Sequence, residues 1–411
     1  MKKEWKKGDF IPFSPPRVDD LIINEVIDTL RSGWWTTGKK TLLFEKKIAE
    51  YCGVKGVKAV GSATEGLELV LRWFGIDKDD EVIVPTYTFC ATANVVLHCG
   101  AKVVFADVNY DDMNISLKEI EKKITSNTKV IIPVDVGGLP CNYDEIYQII
   151  FEKKHLFKPK NEVQEKLGRI LILSDSAHSF GAIYKGKKSG TLSDISVFSF
   201  HTVKNLPTGE GGAIAFNLPE EFDINTLYKE FSLLSLHGQD KDAISKFQNN
   251  QWEYDIIVPG YKCNLTDIQS SIGLVEINRY DSETLPKRKK IFDIYTNAFK
   301  NYHWAELPIY QDSNRISSFH LYCLKIKNIN EQIRNKIIDD ILKNNVSVNV
   351  HFKPIPLFTA YKKLGYNIND YPNSYLAYSR EITLPVYFDL TEEMQEQVIE
   401  VITKAVEKNL I

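Results

Sequence analysis

One lysine, Lys204, lies in a loop rich in proline and glycine. The segment 199–212 reads SFHTVKNLPTGEGG and follows a short apolar run. Its proline and glycines exclude a helix interior, so the lysine belongs to a connection between elements. Such a lysine is a solvated surface charge, a phosphate contact or, when its amine is neutral, a nucleophile that forms a Schiff base with a carbonyl. The local pattern leaves these three roles open.

Three other apolar runs also end in groups that could bind a ligand. The segment GSAT (61–64) opens a helix after VKAV, where free N–H groups attract a phosphate or serve only in capping. Phe89 follows EVIVP and either covers a flat ligand or belongs to the core. Asp175 ends RILILSD and either pairs with a cationic ligand nitrogen or caps the next turn.

Together these groups match the needs of pyridoxal phosphate. The cofactor needs a phosphate cradle, a group over its flat ring, an acid for its ring nitrogen and a lysine for its aldehyde. An aspartate beside the ring nitrogen keeps it protonated, so that the ring accepts the electrons released at the substrate carbon. The combination therefore favours covalent catalysis by Lys204.

The elements that must position these groups alternate along the first half of the chain. Short runs rich in Val and Ile alternate with helical patterns, which predicts an α/β fold with a doubly wound, largely parallel sheet. In such a sheet, ligands bind at the carboxyl ends of the strands. The predicted strands are 57–60, 81–85, 102–108, 129–136, 169–175, 194–200 and 212–216.

The helical segments differ in how clearly the sequence marks them. Apolar spacing predicts a helix over 65–76, and Ser116 with Glu119 predicts a capping box before a short helix. The lysine-rich stretch 151–168 is interpreted as a surface excursion without a catalytic role. A long helix begins near residue 270 and is broken near Leu285 and Pro286.

The last third of the chain predicts a smaller α+β domain. Strand patterns cover 318–326, 346–352 and 381–387, and helical patterns separate them. We therefore expect a large domain over 1–275, whose N-terminal segment lies near the small domain or an interface, and a small domain over 276–411.

Composition bounds the classes of partner. The 411 residues carry a net charge of −3, which excludes a basic field suited to nucleic acid, and no run approaches the roughly 18 apolar residues of a membrane span. We expect a cytoplasmic protein with neither nucleic-acid nor membrane partners. The cysteines are interpreted as buried reduced thiols rather than metal ligands, and no metal site is predicted. They are Cys52, Cys90, Cys99, Cys141, Cys263 and Cys323.

Motifs spread over nearly the whole chain resemble the DegT/DnrJ/EryC1/StrS family of sugar aminotransferases. They are SGWWTTGKK, GSATEGLELVL, DEVIVPTYTFCATANVVLHCGAKVVFADV, SDSAHSFGA, SFHTVKNLPTGEGGAI, PGYKCNLTDIQSSIGLVEI and EITLPVY. The resemblance is greatest to aminotransferases that act on UDP-linked 4-keto sugars. It implies an aspartate-aminotransferase-like fold of type I and a homodimer with shared active sites.

The resemblance also implies a role for each matching residue. Lys204 carries pyridoxal 5′-phosphate as the internal aldimine and shuttles the proton, with pyridoxamine phosphate as the half-reaction form. Some family members have histidine at the position of Lys204 and act as dehydratases. The lysine in this chain therefore favours amino transfer. The other implied cofactor contacts are Asp175 at the ring nitrogen, His178 at the phenolic oxygen, Phe89 and Ala177 on the ring faces, Ala63, Thr64 and Ser199 at the phosphate, and Lys262 or Asn264 at the partner's phosphate.

The implied reaction moves an amino group from L-glutamate, leaving 2-oxoglutarate, to a keto carbon of a nucleotide-linked deoxy or acetamido sugar. We expect C4 as that carbon and a place in the biosynthesis of cell-surface polysaccharide such as O-antigen. The nearest alternative is amino transfer to a 3-keto sugar. A dehydratase and a non-catalytic sugar-binding protein are more distant alternatives. UDP, dTDP and GDP stay open. The expected substrate contacts are Trp35, Thr36, Thr37, His237 and His351, although the two histidines fit structural roles equally well.

Overall fold

A seven-stranded sheet forms the centre of the computed structural model, which describes residues 5–240 and 253–410. Its spatial order is β1-β9-β8-β5-β4-β2-β3. All pairings from β8 to β3 are parallel, whereas β9 runs antiparallel to both of its neighbours. The strands are β1 (Gly56–Val60), β2 (Glu81–Pro85), β3 (Lys102–Ala106), β4 (Thr128–Ile131), β5 (Leu171–Asp175), β8 (Ile195–Ser199) and β9 (Gly212–Phe216).

The sheet is buried on both faces, which explains the nearly continuous apolar runs of its strands. In β2, for example, Val82 and Val84 join one apolar cluster and Ile83 joins another. Helices cover both faces. Among the described residues up to 280, the helices are Asp20–Ser32, Lys39–Cys52, Ala63–Trp73, Ala91–His98, Leu117–Lys123, Tyr143–Glu152, Glu162–Leu167, Ile224–Ser235 and Asp267–Asn278, with short 3-10 turns at Val136–Gly138 and Lys154–Leu156.

A second body lies after a π-helical turn at Tyr280–Thr284, which interrupts the long helix just before Leu285, close to the predicted break. Its sheet has the order β10-β12-β13, with all pairs antiparallel. The strands are β10 (Ala305–Glu306), β12 (Tyr322–Ile326) and β13 (Glu381–Leu384); the helices are Leu285–Phe299, Glu331–Lys343, Thr359–Lys363, Pro372–Tyr378 and Glu392–Leu410, with 3-10 turns at Ile355–Leu357 and Ile368–Asp370.

The N-terminal segment and a small third sheet link the two bodies. Ile11 is fully buried in the apolar cluster of the second body and forms a parallel bridge with Val346. The third sheet joins β6 (Ile183–Tyr184), β7 (Lys187–Lys188) and β11 (Arg315–Ile316).

Two predictions about local structure are wrong. The stretch 346–352 is not a strand: it contributes isolated bridges from Val346 to Ile11 and from Asn349 to Thr383. Each bridge goes to a different part of the chain, so no continuous ladder forms. The predicted capping box is also absent, because the Ser116 side chain makes no hydrogen bond to the helix it precedes.

The charged stretch 151–168 is anchored to the large sheet's helices rather than loose on the surface. Gln164 is fully buried and donates to the carbonyl of Phe74 at 2.9 Å. Lys160 forms ion pairs with Asp77 and Asp80. The six cysteines are free, and all except the half-buried Cys90 are buried. Among the described helices, none is both long enough and apolar enough to cross a membrane.

Candidate active site

A cavity of about 370 Å³ opens at the carboxyl ends of the parallel strands, between the two bodies. This volume lies within the range of sites for small ligands and cofactors. It brings together nine of the residues that the sequence singles out: Ala63, Thr64, Phe89, Asp175, Ala177, His178, Ser199, Lys204 and His351.

Lys204 projects from the loop that connects β8 to β9. Its backbone N–H donates to the carbonyl of His201 at 2.8 Å, and no hydrogen bond or ion pair joins its amine to the described residues. Burial lowers the pKa of the Lys204 amine to about 8, and the nearby charge of Asp175 opposes that shift only in part. Roughly a tenth of the amine is therefore neutral at pH 7, in the form that a nucleophile or base requires.

Asp175 is the last residue of β5 and is 6% exposed. Its carboxylate accepts hydrogen bonds from the Thr92 hydroxyl at 2.8 Å and from the Ala177 N–H at 3.2 Å. Burial raises the pKa of Asp175, while these two bonds and the Lys204 charge oppose the rise. A buried carboxylate at this position can pair with a protonated nitrogen of a ligand.

The helix Ala63–Trp73 begins at the end of β1 and offers a candidate anion site there. Ser62 caps this helix by accepting from the Glu65 N–H at 3.2 Å. As the first helical residues, Ala63 and Thr64 have no acceptor for their N–H groups within the helix. Gly212 lets β9 approach this turn, because a Cβ there would lie 2.6 Å from the Ala63 nitrogen.

Histidines form much of the remaining wall. His178 and His320 lie with ring centroids 4.4 Å apart, and the buried Nδ1 of His178 has no hydrogen-bond partner among the described residues. Burial, with repulsion from Lys204 and His351, lowers the pKa of His178 well below its ordinary value. These imidazoles are therefore neutral and can exchange hydrogen bonds with an uncharged part of a ligand.

His320, which the sequence did not single out, is tied to the residue that follows the lysine. Its Nδ1 lies 2.8 Å from Oδ1 of Asn205, whose amide donates to the Ser318 carbonyl at 2.7 Å. The amide orientation leaves Oδ1 as the acceptor, so His320 carries its proton on Nδ1. Arg288 fixes the same turn by donating to the carbonyls of Phe319 and His320, each at 2.8 Å.

Phe13 and Phe352 also line the cavity without having been predicted. Phe89 is 60% exposed, so it belongs to the cavity mouth and not to the core. An asparagine directly after the lysine and a histidine before a buried strand were the available signals for Asn205 and His320. Phe13 left no comparable signal because its neighbours in space are far away in sequence.

The remaining predicted residues do not line the cavity of a single chain. Asn264 forms a bridge with Val60, beside the anion site, and its amide donates to the Thr37 hydroxyl at 2.6 Å. Lys262 is exposed and hydrogen bonds to Asn264. Thr36, Trp35 and His237 lie on the surface near this segment; the Thr36 carbonyl accepts from Asp267, Trp35 donates to Leu30, and the His237 N–H donates to Tyr261.

The sheet topology, with Asp175 at the end of β5 and Lys204 in the loop after β8, is that of a fold-type I aminotransferase. The model of the DegT/DnrJ/EryC1/StrS aminotransferase family matches residues 16–403, and the chain belongs to that family. This confirms the resemblance seen in the sequence and the predicted fold class.

Relatives match over almost the entire chain. The PLP form of the putative sugar aminotransferase Spr1654 from Streptococcus pneumoniae superposes with a TM-score of 0.94 at 41% identity, covering 98% of this chain and 100% of that one. That protein has also been solved in PMP and apo forms. The spore coat polysaccharide biosynthesis protein SpsC of Bacillus subtilis is 34% identical over 97% of each chain. The UDP-4-amino-4,6-dideoxy-N-acetyl-beta-L-altrosamine transaminase of Campylobacter jejuni is 32% identical, covering 92% of this chain and 93% of that one.

Proposed function

We propose that this aminotransferase uses pyridoxal phosphate to move an amino group from L-glutamate to C4 of a nucleotide-linked deoxy or acetamido keto sugar. One observation carries the proposal: a lysine amine without a partner among the described residues lies in the same cavity as the buried carboxylate of Asp175. The similarity to the Campylobacter transaminase, whose name specifies a UDP-linked 4-amino sugar, supports the substrate class and the position. The similarity to SpsC supports a place in polysaccharide biosynthesis.

The residues present fit this cofactor. The free N–H groups of Ala63 and Thr64 suit its phosphate, and the unpartnered Nδ1 of His178 suits its phenolic oxygen. Ser199, Phe89 and Ala177 line the same cavity, where Ser199 would complete the phosphate contacts and Phe89 and Ala177 would cover the two ring faces. These assignments agree with the family pattern and form part of the proposal.

Each side chain then has a definite task. Pyridoxal phosphate, when bound, supplies an electron sink for the carbon that gains or loses the amine. Asp175 holds the proton on the ring nitrogen, because a buried carboxylate stabilises a cation beside it. Lys204 binds the cofactor covalently and moves the proton at the reacting carbon, for which its amine must be neutral.

The proposal includes a homodimer with shared active sites. Lys262 or Asn264 reaches the phosphate in the partner's site, and Trp35, Thr36, Thr37 and His237 contact the sugar nucleotide together with His351. The exposed position of the segment around Lys262 supports a contact across subunits. We assign residues 1–275 to the cofactor-binding domain and 276–411 to the small domain, and we place the enzyme in the cytoplasm, where nucleotide-linked sugars are made.

The test is a screen of keto sugar nucleotides with glutamate as donor, read by mass spectrometry and NMR of the product. The expected result is a 4-amino sugar with one 2-oxoglutarate formed for each sugar converted. A 3-amino product would show that C3, and not C4, is the aminated carbon. A keto-deoxy product formed without glutamate consumption would show that the reaction is a dehydration. No conversion of any keto sugar, in a protein that binds the cofactor, would overturn the proposal.

A further inference from the structure

His351 lines the cavity in a fixed orientation. Phe13 stacks on its ring with centroids 5.7 Å apart, and Phe352 meets it edge-on at 5.1 Å. Burial and the positive charge of Lys204 lower the pKa of His351 to about 3. The imidazole is therefore neutral at physiological pH, and only one of its two nitrogens carries a hydrogen.

A chain of hydrogen bonds decides which nitrogen that is. Glu381 is fully buried at the start of β13; one carboxylate oxygen accepts from the backbone N–H of His351 at 2.9 Å and the other accepts from the Thr383 hydroxyl. The Thr383 oxygen lies 2.9 Å from Nδ1 of His351. A hydroxyl has one hydrogen, and Thr383 gives it to the carboxylate, so the hydrogen between Thr383 and His351 belongs to Nδ1.

The other ring nitrogen, Nε2, then carries a lone pair. No hydrogen bond joins it to the part of the chain that the structure describes, and it lies on the side of the ring remote from Thr383. Because the ring lines the cavity, this lone pair is available to a ligand there. A sugar offers hydroxyl groups as donors for such an acceptor.

We propose that Glu381 is a positioning residue: through Thr383 it holds His351 with its hydrogen on Nδ1, so that Nε2 accepts a hydrogen bond from a hydroxyl of the substrate. The identity of the substrate as a sugar rests on the proposed function. The placement of the hydrogen does not, because it follows from the contacts within the protein.

The arrangement depends on the ionisation of Glu381. Burial raises the pKa of Glu381 to about 7, and the hydrogen bonds it accepts and the charge of Arg334 oppose the rise. Cys323 and Tyr87 face it as neutral groups whose own pKa values burial raises well above the ordinary range, while Lys325, its register partner, is paired with Glu306.

Protonation reverses the hydrogen-bond chain. A protonated Glu381 donates to Thr383, which frees the Thr383 hydrogen to point at Nδ1 of His351. The imidazole then carries its own hydrogen on Nε2, where it acts as a donor and no longer accepts from a hydroxyl. Weaker binding of the substrate below pH 7 is the expected consequence.

Neutron diffraction from crystals of the deuterated holoenzyme tests the placement directly, without turnover. Well above pH 7 we expect deuterium on Nδ1 of His351. In Glu381→Gln the side-chain amide oxygen must accept from the backbone N–H of His351, so the side-chain NH₂ group donates to Thr383. The Thr383 hydroxyl then donates to Nδ1 of His351, and we expect deuterium on Nε2 at every pH. Deuterium on Nε2 in the wild-type enzyme above pH 7, or on Nδ1 in Glu381→Gln, would overturn the proposal.

Steady-state kinetics supply the second readout and a matched pair of variants. Thr383→Val removes the linking hydroxyl, and we expect the KM for the sugar nucleotide to rise about three- to tenfold, as for a lost neutral hydrogen bond, with a smaller change in kcat. Thr383→Ser keeps the hydroxyl and restores the wild-type KM. A Thr383→Ser enzyme as impaired as Thr383→Val would assign Thr383 a packing role and overturn the relay. A correct deuterium pattern in a protein without amino transfer would instead refute only the proposed function.

Discussion

The Thr92 hydroxyl donates a 2.8 Å hydrogen bond to Oδ2 of Asp175. It ties the helix Ala91–His98, which follows β2, to the end of β5. The same hydroxyl lies 2.8 Å from that of Thr88. The residues that follow β2 therefore fix the orientation of Asp175. Its ionisation depends on Thr92, which does not itself line the cavity.

Thr92→Val should weaken cofactor binding. Without this donor, burial raises the pKa of Asp175 further, so the carboxylate is less available for a protonated ring nitrogen. A bond to a charged group is worth about 1.5–3 kcal/mol, which corresponds to a loss of affinity of roughly tenfold to a hundredfold. Titration of the apo-protein with pyridoxal phosphate measures it. Thr92→Ser keeps the donor and serves as control; equal affinities for the Val and Ser variants would show that the Thr92 hydroxyl does not support cofactor binding.

Lys204→Ala should abolish amino transfer, with a loss of at least about 10²- to 10⁴-fold, because it removes both the proposed proton shuttle and the proposed covalent attachment. The folded state should persist, since the amine has no partner among the described residues. Lys185→Ala is the matched control: its amine pairs with Asp144 on the surface, so its activity should equal wild type. Near-normal activity of Lys204→Ala would refute the assignment.

Reattachment of pyridoxal phosphate to the apo-protein should accelerate as pH rises through about 8. Burial places the pKa of Lys204 there, and only the neutral amine attacks the aldehyde. Below that pKa the neutral fraction, and hence the rate, should fall about tenfold for each pH unit. Stopped-flow recording of the visible cofactor absorption follows the reaction. A rate that is independent of pH across this range would contradict the lowered pKa.

Arg169 and Asp194 should contribute strongly to stability. The guanidinium binds the buried carboxylate through two hydrogen bonds of 2.6 and 2.7 Å, joining the start of β5 to the start of β8. Arg169→Met leaves the buried carboxylate of Asp194 without this ion-pair partner, and urea unfolding should show a loss of about 3–5 kcal/mol in the free energy of unfolding. Adding Asp194→Asn removes the stranded charge and should recover part of that loss. A double variant less stable than Arg169→Met would argue against charge burial as the cause.

The proposed homodimer with shared active sites predicts complementation between inactive subunits. In that dimer, Asn264→Ala would damage the contribution to the partner's site, whereas Lys204→Ala would damage a subunit's own site. Random mixing of the two inactive proteins makes half of the dimers mixed, each with one intact site, so activity should return to about a quarter of the wild-type value. Mixtures that stay inactive after subunit exchange, verified by mass spectrometry, would place Asn264 in its own subunit's site.

The sequence predicted the large sheet well because its strands are buried on both faces and appear as apolar runs. The carboxyl ends of those strands meet at one edge, so Asp175, Phe89 and the segment 61–64 could be grouped from the sequence alone. The prediction of a strand over 346–352 was wrong although apolar and polar residues alternate there. Such alternation indicates that one face of the segment is buried, but it does not identify a neighbouring strand with which the segment could pair. Val346 and Asn349 each use a different partner.

The side chains that adjust the site were harder to predict. The side chains of Asn205 and His320 bond to each other although they are far apart in sequence. Glu381 acts through a hydrogen bond from Thr383, which in turn contacts the loop residue His351. Such contacts leave neither periodicity nor a motif. Histidine and glutamate also occur on ordinary surfaces, so their residue types alone do not identify a site.

The antiparallel strand β9 has a consequence for the order of folding. It lies between β1 and β8, and its Gly212 packs against the turn at Ala63. During synthesis β1 emerges long before β9, so its apolar residues have no neighbouring strand until β9 and the loop that carries Lys204 have been made. We therefore expect the closing of the sheet and the completion of the cofactor cradle to occur in the same late step, and mutations in β9 to slow folding more than those in β3.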